Sequence, residues 1–299
     1  MWKMAELDIV YAKQYGANVY QVAQQRGSRF RNYVTIEDMK GEIKFLERVK
    51  PTSAVRVTSK YADSPMIHTQ FDRRALHAQE FAWGDMIDWQ DNLNIFIDPT
   101  SHVTKQGVYA LGRVIDEIII ENGFDGVAYE GKNGTDVVQF PTSQVIPVTA
   151  GGAGGSNTGM NIEKLRMARS AFGKADIDLD DPDNKLYMAI SQEQLDDLLR
   201  TTEITSADYN TVKALVNGTV SSFMGFEFIV SQRLKKTGEN RICAAWCKSG
   251  IVLAMPQEIV TRVAEREDKC FNWYAFGKMK TGCTRIEDCK VVQIPCKES

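Results

Sequence analysis

The 299-residue chain has no large excess of either charge. Its 36 Lys and Arg residues nearly balance 39 Asp and Glu residues, which gives a formal net charge of −3 at pH 7. Proteins that hold nucleic acid by neutralising its phosphates carry a clear excess of Lys and Arg. The composition therefore does not favour a strongly basic nucleic-acid-binding protein. A hydrophobic content of 43% is sufficient for one large core or two modest ones.

The chain also lacks a long apolar run. The longest lies near residues 114–120, where Asp116 and Glu117 interrupt it, and a membrane-spanning helix needs about 20 apolar residues. The first ten residues include Trp2 and Lys3 and show neither the apolar core nor the small-residue cleavage site of a signal peptide. We therefore expect no membrane association and a location in the cytoplasm of the cell that makes the protein.

Histidine is scarce, with three residues, and cysteine is absent before residue 243. The six cysteines are Cys243, Cys247, Cys270, Cys283, Cys289 and Cys296. A zinc site favours Cys pairs two residues apart, whereas Cys243 and Cys247 lie four apart in a strand-like run, or about 13 Å. We predict reduced, mostly buried thiols. A soluble enzyme using Cys247 or Cys270 with a histidine is the less favoured alternative, because neither lies in a nucleophile-elbow motif.

Three segments partly match binding or catalytic motifs. The Gly-rich residues 150–159 lack the Lys-Ser/Thr of a phosphate loop, so we predict a flexible connection. The acidic run from Asp176 begins like a calcium loop but has Asp181 where Gly is required and Tyr187 where Glu is required. Acids beside tryptophans in residues 81–98 could indicate a sugar site, but we assign them to turns and core. We predict no catalytic residue, cofactor or metal.

Hydrophobic periodicity predicts a mixed α+β fold. A long helix is expected at about residues 102–122, with apolar residues three and four apart, Pro99 near its start and Gly123 at its end. Its other side is expected to carry polar side chains: Arg113, Asp116, Glu117 and Glu121. Asn133-Gly134 indicates a β-hairpin. The remaining predicted helices are residues 161–172, 192–200 and 206–216, and the predicted strands are residues 186–190, 224–234, 241–247 and 251–255, with further strands between 270 and 295.

Two segments are poorly suited to a monomer. Residues 1–40 form a polar arm that cannot build a core alone. Residues 41–80 alternate apolar and charged side chains and indicate two long strands joined near Lys60–Pro65. An isolated two-stranded hairpin is marginally stable in water. We therefore expect this hairpin to gain burial on another surface, which an assembly of subunits would supply.

The order of these parts resembles the Hong Kong 97-like capsid fold of tailed-phage major capsid proteins. The resemblance is most specific at Gly225–Leu234, Ala245–Ala254 and Gly282–Arg285, and it extends to Gln24–Ser28 and Trp83–Asp88. The collinear order of the motifs carries it, since no single one is diagnostic. It implies the following division: an N-terminal arm at 1–40, an extended E-loop with flanking strands at 41–95, a P-domain with the spine helix at 96–183, an A-domain at 184–269, and return strands at 270–299 that complete the P-domain.

The resemblance implies a major capsid protein that assembles into pentamers and hexamers of an icosahedral virion shell around double-stranded DNA. A mildly acidic inner wall would repel that DNA. The implied partners are other copies of the chain, a scaffolding protein, a portal and possibly a decoration protein, with assembly in the host bacterial cytoplasm. A cellular encapsulating nanocompartment of the same fold is an alternative. Lys60 is a possible crosslink donor. The implied inter-subunit contacts are Arg26, Arg29, Arg31, Lys44, Glu47, Arg48, Lys50, Arg56, Lys60, Asp72, Arg73 and Arg74.

Overall fold

A computed structural model describes residues 24–60, 63–64, 66–87, 99–179, 181, 184–200 and 222–298. The predicted helix at 206–216 lies outside these residues. Within them are three α-helices and fourteen strands. The helices are α1 (Pro99–Ile118), α2 (Ile162–Lys174) and α3 (Gln192–Arg200). The strands are β1 (Thr35–Glu37), β2 (Ile43–Val49), β3 (Phe71–His77), β4 (Gln79–Ile87), β5 (Ala128–Glu130), β6 (Asp136–Val138), β7 (Leu186–Ile190), β8 (Ser222–Phe223), β9 (Phe226–Val230), β10 (Lys236–Thr237), β11 (Asn240–Cys247), β12 (Ile251–Arg266), β13 (Asn272–Arg285) and β14 (Val291–Lys297).

The strands form three sheets. The long sheet has the order β1-β12-β13-β4, the central sheet has the order β10-β11-β7-β9-β8 with β14 also paired to β11, and the hairpin sheet has the order β2-β3-β5-β6. Strand β1 pairs in parallel with β12, and β7 pairs in parallel with β9. The other pairings are antiparallel. The predicted α+β class is confirmed.

Helix α1 packs against the long sheet. It begins at Pro99 and continues as a π-helical segment, Ile119–Asp125, so the predicted helix is confirmed with a shift of about three residues at each end. Leu111 and Ile115 are buried in one core with Met279 of β13. The sequence pattern placed Asp116 on the exposed side of the helix. That was wrong: Asp116 is fully buried, because it accepts hydrogen bonds from residues 25–30.

The central sheet holds the aromatic core. The Trp246 ring lies 4.7 Å from Phe124, 6.1 Å from Tyr187 and 6.0 Å from Phe30, measured between centroids. Its Nε1 donates a hydrogen bond of 2.9 Å to the carbonyl oxygen of Tyr33. A buried tryptophan needs such a partner for its N–H group. Trp246 therefore joins the central sheet, the π-helical segment and the chain at residues 30–33.

Strand β12 is much longer than predicted. The sequence indicated a strand ending at Met255, since Pro256 cannot donate a hydrogen bond within a ladder. The strand instead continues to Arg266 beside β13, with two register shifts between Ala254 and Val260. These irregularities accommodate the proline, because a β-bulge leaves one residue unpaired.

The predicted domain limits do not follow the sheets. Residues 251–266 were grouped with 184–247, but β12 lies in the long sheet with β13. Residues 291–297 were assigned to the P-domain, but β14 pairs with β11 of the central sheet, with Cys243 opposite Ile294. The position of β14 in the central sheet has a physical reason. Most of β14 is buried, and a strand buried on both faces must lie inside a covered sheet.

Part of the predicted arm is fixed to its own subunit. The Asp116 carboxylate accepts the backbone N–H groups of Arg29 at 3.0 Å and Phe30 at 3.2 Å. A Cβ atom on Gly112 would lie 2.7 Å from the Cα of Gly27, so the glycine permits the chain to cross α1 closely. Residues 24–37, the last part of the predicted arm, are therefore anchored on α1 and β12 of their own subunit. Residues 1–23 lie outside the described part.

Candidate assembly surface

The hairpin of β2 and β3 has a short ladder and a long exposed end. The strands pair from Ile43 opposite His77 to Val49 opposite Phe71. The sequence predicted two long strands meeting near Lys60, but the described residues between 50 and 70, here called the hairpin tip, contain no strand. All of them are exposed. One hydrogen bond of 3.0 Å, from the Lys50 N–H to the Gln70 oxygen, closes the ladder.

Apolar side chains are concentrated at the hairpin tip and at the ladder end beside it. Met66 is 84% exposed and Phe71 is 70% exposed. Val49, Val55 and Val57 are each about three-fifths exposed. Single exposed apolar residues are ordinary, but a group of this kind marks an interaction surface. Burying one such side chain on a partner contributes about 1.5–3 kcal/mol.

The hairpin joins the body through a set of charged residues, here called the base network: Arg48, Asp72, Arg74, Glu130, Arg285 and Asp288. Arg74 and Arg285 are 1% and 0% exposed. The Asp288 carboxylate lies 2.7 Å from Arg74 Nη2 and 2.6 Å from Arg285 Nε. Glu130 Oε1 lies 2.8 Å from Arg74 Nε and 2.6 Å from Arg48 Nη2. The network therefore links β2, β3 and β5 to the segment after β13.

Burying charges in this way is costly, so each must be paired. The Arg285 guanidinium donates to the carbonyl oxygen of Gly126 and lies over the Phe140 ring, 4.9 Å from its centroid. The Arg48 guanidinium donates to the Ile286 oxygen at 2.7 Å. Rigid pairing at these positions fixes the direction in which the hairpin leaves the body. The base network therefore sets the position of the hairpin tip relative to the body.

The twelve predicted contact residues fall into four groups. Arg48, Asp72 and Arg74 belong to the base network; Arg74 is too deeply buried to reach another subunit, while Arg48 and Asp72 remain predicted contacts. Four form ion pairs or cation–π contacts within the chain: Arg31 with Glu258, Lys44 with Glu37, and Arg73 with both Glu47 and the Phe45 ring. Arg29 donates to the carbonyl oxygen of Val230. Arg26, Lys50, Arg56 and Lys60 are exposed.

Sequence reasoning missed Glu130, Arg285 and Asp288. Arg285 ends the Gly282–Arg285 motif that carries part of the family resemblance, which was a signal that this arginine has a fixed role. Nothing in the local pattern separates Glu130 or Asp288 from solvent-facing acids, because their shared partner Arg74 is more than 50 residues away in sequence.

Acid is expected to weaken the hairpin base through Asp72. Burial tends to raise the pKa of its carboxyl, but the Arg73 backbone N–H and the Arg48 guanidinium outweigh this and hold the pKa below its usual value. A carboxyl with a depressed folded-state pKa stabilises the fold above its unfolded-state pKa, about 3.9, and loses that contribution as pH falls through the folded-state pKa. The free energy of unfolding should therefore fall as the pH drops below about 4.

Urea unfolding of the wild type and Asp72→Asn at pH 7 and at a series of pH values below 4 tests this. The variant should be less stable at pH 7, and the difference in the free energy of unfolding should shrink as the pH falls through the folded-state pKa. A difference of equal size at every pH would show that the charge of Asp72 contributes nothing.

Among the described residues, the cysteine that shares a cavity with a histidine is poorly suited to act as a nucleophile. His77 and Cys283 do line one cavity of about 460 Å³, which is the arrangement that a Cys enzyme would use. However, burial raises the pKa of the Cys283 thiol well above its usual value, and only the thiolate is an effective nucleophile. Cys243, Cys247 and Cys296 are also buried, while Cys270 is exposed.

A thiol reagent should therefore distinguish the cysteines. We expect the folded subunit to expose one rapidly reacting thiol, Cys270, with Cys289 slower and the four buried thiols reacting only after denaturation. Cys270→Ser should remove the fast phase. Timed alkylation followed by peptide mass mapping measures this, and rapid modification of Cys283 would contradict the account.

No group of three His, Cys, Asp or Glu side chains in the described ranges is placed to hold a metal ion. No helix in the same ranges is long and apolar enough to span a membrane.

Known structures share this architecture over nearly the whole chain. The cyanophage Pam1 capsid asymmetric unit superposes with a TM-score of 0.73 at 11% identity, covering 99% of both chains. The capsid structure of the cyanophage P-SCSP1u gives 0.72 at 15% identity, covering 98% of this chain and 94% of that one. A structure of Mycobacterium phage Che8 gives 0.70 at 14% identity, covering 95% and 97%. No curated protein matches the sequence significantly.

The fold is therefore that of the Hong Kong 97-like capsid proteins, the class that the order of elements predicted. The chain belongs to the phage capsid protein family, whose sequence profile matches residues 7–298. It is a structural protein of the virion, a major capsid protein that assembles into the phage shell.

Proposed function

We propose that the subunit forms pentamers and hexamers that close an icosahedral shell around double-stranded DNA, with each hairpin tip lying on a neighbouring subunit. The observation that carries this is the exposure of Met66, Phe71 and the valines beside them at the end of a hairpin whose base is rigidly held. A rigid base reduces the ordering cost of binding, and the apolar tip supplies the burial.

The exposed charges around the tip are proposed to set the register of the contact. Ion pairs at an exposed rim are each worth about 0–1 kcal/mol and contribute more to orientation than to strength. Arg26, Lys50, Arg56 and Lys60 are the proposed members of this rim. The crosslink at Lys60 remains a prediction.

The proposed partners are a scaffolding protein and a portal during assembly in the host bacterial cytoplasm, and possibly a decoration protein afterwards. The role is structural, without catalysis. The nanocompartment alternative is disfavoured by the match to the phage capsid family over residues 7–298. The Cys-enzyme alternative is disfavoured for Cys247, which is buried and whose thiol contacts Asn184 Oδ1 and Ser249 Oγ. Cys283, which shares a cavity with His77, is disfavoured by the raised pKa of its thiol.

Negative-stain electron microscopy of the expressed full-length chain tests the proposal. Closed shells, tubes or rings of five and six subunits would support it. A monodisperse monomer that does not assemble under crowding, high salt or added scaffolding protein would contradict it. Particles from infected cells that contain DNA and a portal vertex would distinguish a phage shell from a nanocompartment.

A further inference from the structure

A cleft beside α1 collects three arginines from separate parts of the chain. It has a volume of about 400 Å³ and is lined by Gln24, Gln25, Arg29, Arg113, Gln232 and Arg233. The arginines come from the segment before β1, from α1, and from the turn after β9. No carboxylate and no apolar side chain is among these lining residues.

Each guanidinium is held in place by a contact to its own chain. Arg113 Nη1 donates to Gln24 Oε1 at 2.8 Å. Arg29 Nη1 donates to the carbonyl oxygen of Val230, and Arg233 Nη1 pairs with Glu117. Each of these contacts uses the Nη1 atom of its arginine and restricts the orientation of the guanidinium. A guanidinium has five N–H donors, so further donors remain on each arginine.

Two acids beside the cleft, Asp116 and Glu117, offset part of its positive charge. Asp116 lies beneath, is fully buried, and accepts hydrogen bonds from the backbone N–H groups of Arg29 and Phe30, Ser28 Oγ and Gln25 Nε2. Its carboxylate is therefore engaged in holding residues 25–30 against α1. Arg233 alone among the three arginines has a carboxylate partner, Glu117, in the described ranges.

We propose that this cleft binds the phosphate groups of a nucleic-acid backbone. The planar guanidinium fork matches a phosphate in a bidentate manner, and amide side chains are further donors to phosphate and sugar oxygens. Without aromatic or apolar side chains the lining offers no platform for bases, so binding is independent of sequence. The site rests on the proposed function, since the shell's DNA is the phosphate source. It revises the expectation of a uniformly repelling acidic wall.

Fluorescence anisotropy of a 30-base-pair random duplex titrated with unassembled full-length subunit tests the proposal. Neutralising three phosphates gives a slope of log affinity against log salt of about −2.7. The triple variant Arg29→Gln, Arg113→Gln, Arg233→Gln should bring the slope towards zero. The triple variant in which the same three arginines are replaced by lysine keeps three positive charges and should retain most of the salt-dependent slope.

A matched control removes three charges elsewhere: Arg166→Gln, Arg262→Gln and Lys278→Gln, all on exposed positions outside the cleft. It should leave the slope unchanged. Equal losses in both Gln triple variants would overturn the proposal, as would unchanged binding in the cleft variant with a wild-type unfolding midpoint. Poly-glutamate, titrated in the same way, serves as a probe for an acidic protein partner. If the cleft variant loses poly-glutamate binding while its duplex binding is unchanged, the cleft binds an acidic protein and the nucleic-acid proposal is overturned. Shell formation is scored separately by microscopy, so failure here leaves the proposed assembly function standing.

Discussion

Replacing Arg285 with alanine is expected to lower the free energy of unfolding of the unassembled subunit by about 3–5 kcal/mol, the range for breaking a buried ion pair by removing one partner. Arg285 is fully buried. Its loss removes the 2.6 Å contact to Asp288 and the donors to the carbonyl oxygens of Gly126 and Val138. Buried acceptors left without donors carry their full desolvation cost.

Urea unfolding measures this change, and Arg166→Ala is the matched control. Arg166 is an arginine in an ion pair with Glu163 at 2.8 Å, but its side chain is 70% exposed. Its removal should cost less than about 1 kcal/mol. If Arg285→Ala also costs less than that, the base network is not what holds the hairpin to the body.

Placing a charge on the hairpin tip is expected to abolish shell closure while leaving the subunit folded. Met66→Asp changes a side chain that is 84% exposed, so the isolated subunit should keep its unfolding midpoint. If the side chain is buried on a neighbour, the change removes about 1.5–3 kcal/mol at each contact, which is at least about tenfold in the association constant. Every contact in the shell is affected, so the loss is multiplied over the particle.

The matched control is Met167→Asp, a 37% exposed methionine on α2. Sedimentation and electron microscopy should show shells for this control and none for Met66→Asp. Shells formed equally well by both variants would remove the hairpin tip from the assembly surface.

A deletion can test the same point if it is placed correctly. Removing all of residues 50–75 would take out Arg74 and Ala75, each 1% exposed. The structure narrows the deletion to residues 51–69, beyond the last ladder pair of Val49 and Phe71.

Local signals predicted most of the elements. Strand β7 and helix α3 have the predicted bounds, Leu186–Ile190 and Gln192–Arg200. Ser191 separates them, and its backbone N–H and hydroxyl hydrogen-bond the Gln194 side chain at the start of α3. The hairpin at Gly134 forms with a positive φ of 68° at that glycine, as Asn-Gly predicts. Each of these depends on a few neighbouring residues.

The hydrophobic pattern of the sequence does not show which charged side chains are buried by partners that are distant in sequence. Arg73 and Arg74 are adjacent in β3, and one is half-buried while the other is fully buried, because only one face of that strand meets Asp288. Alternation predicts that they differ but not which faces inward. Asp116 was misassigned for the same reason: its donors are more than 80 residues away in sequence.

Cryo-electron microscopy of the assembled shell tests the central claim most directly. The account predicts density for the hairpin tip, residues 50–70, lying across an adjacent subunit, with Met66 and Phe71 buried at that contact and Arg74 still paired with Asp288 inside its own subunit. A closed shell in which the hairpin tip folds onto its own subunit, or remains exposed to solvent, would contradict it.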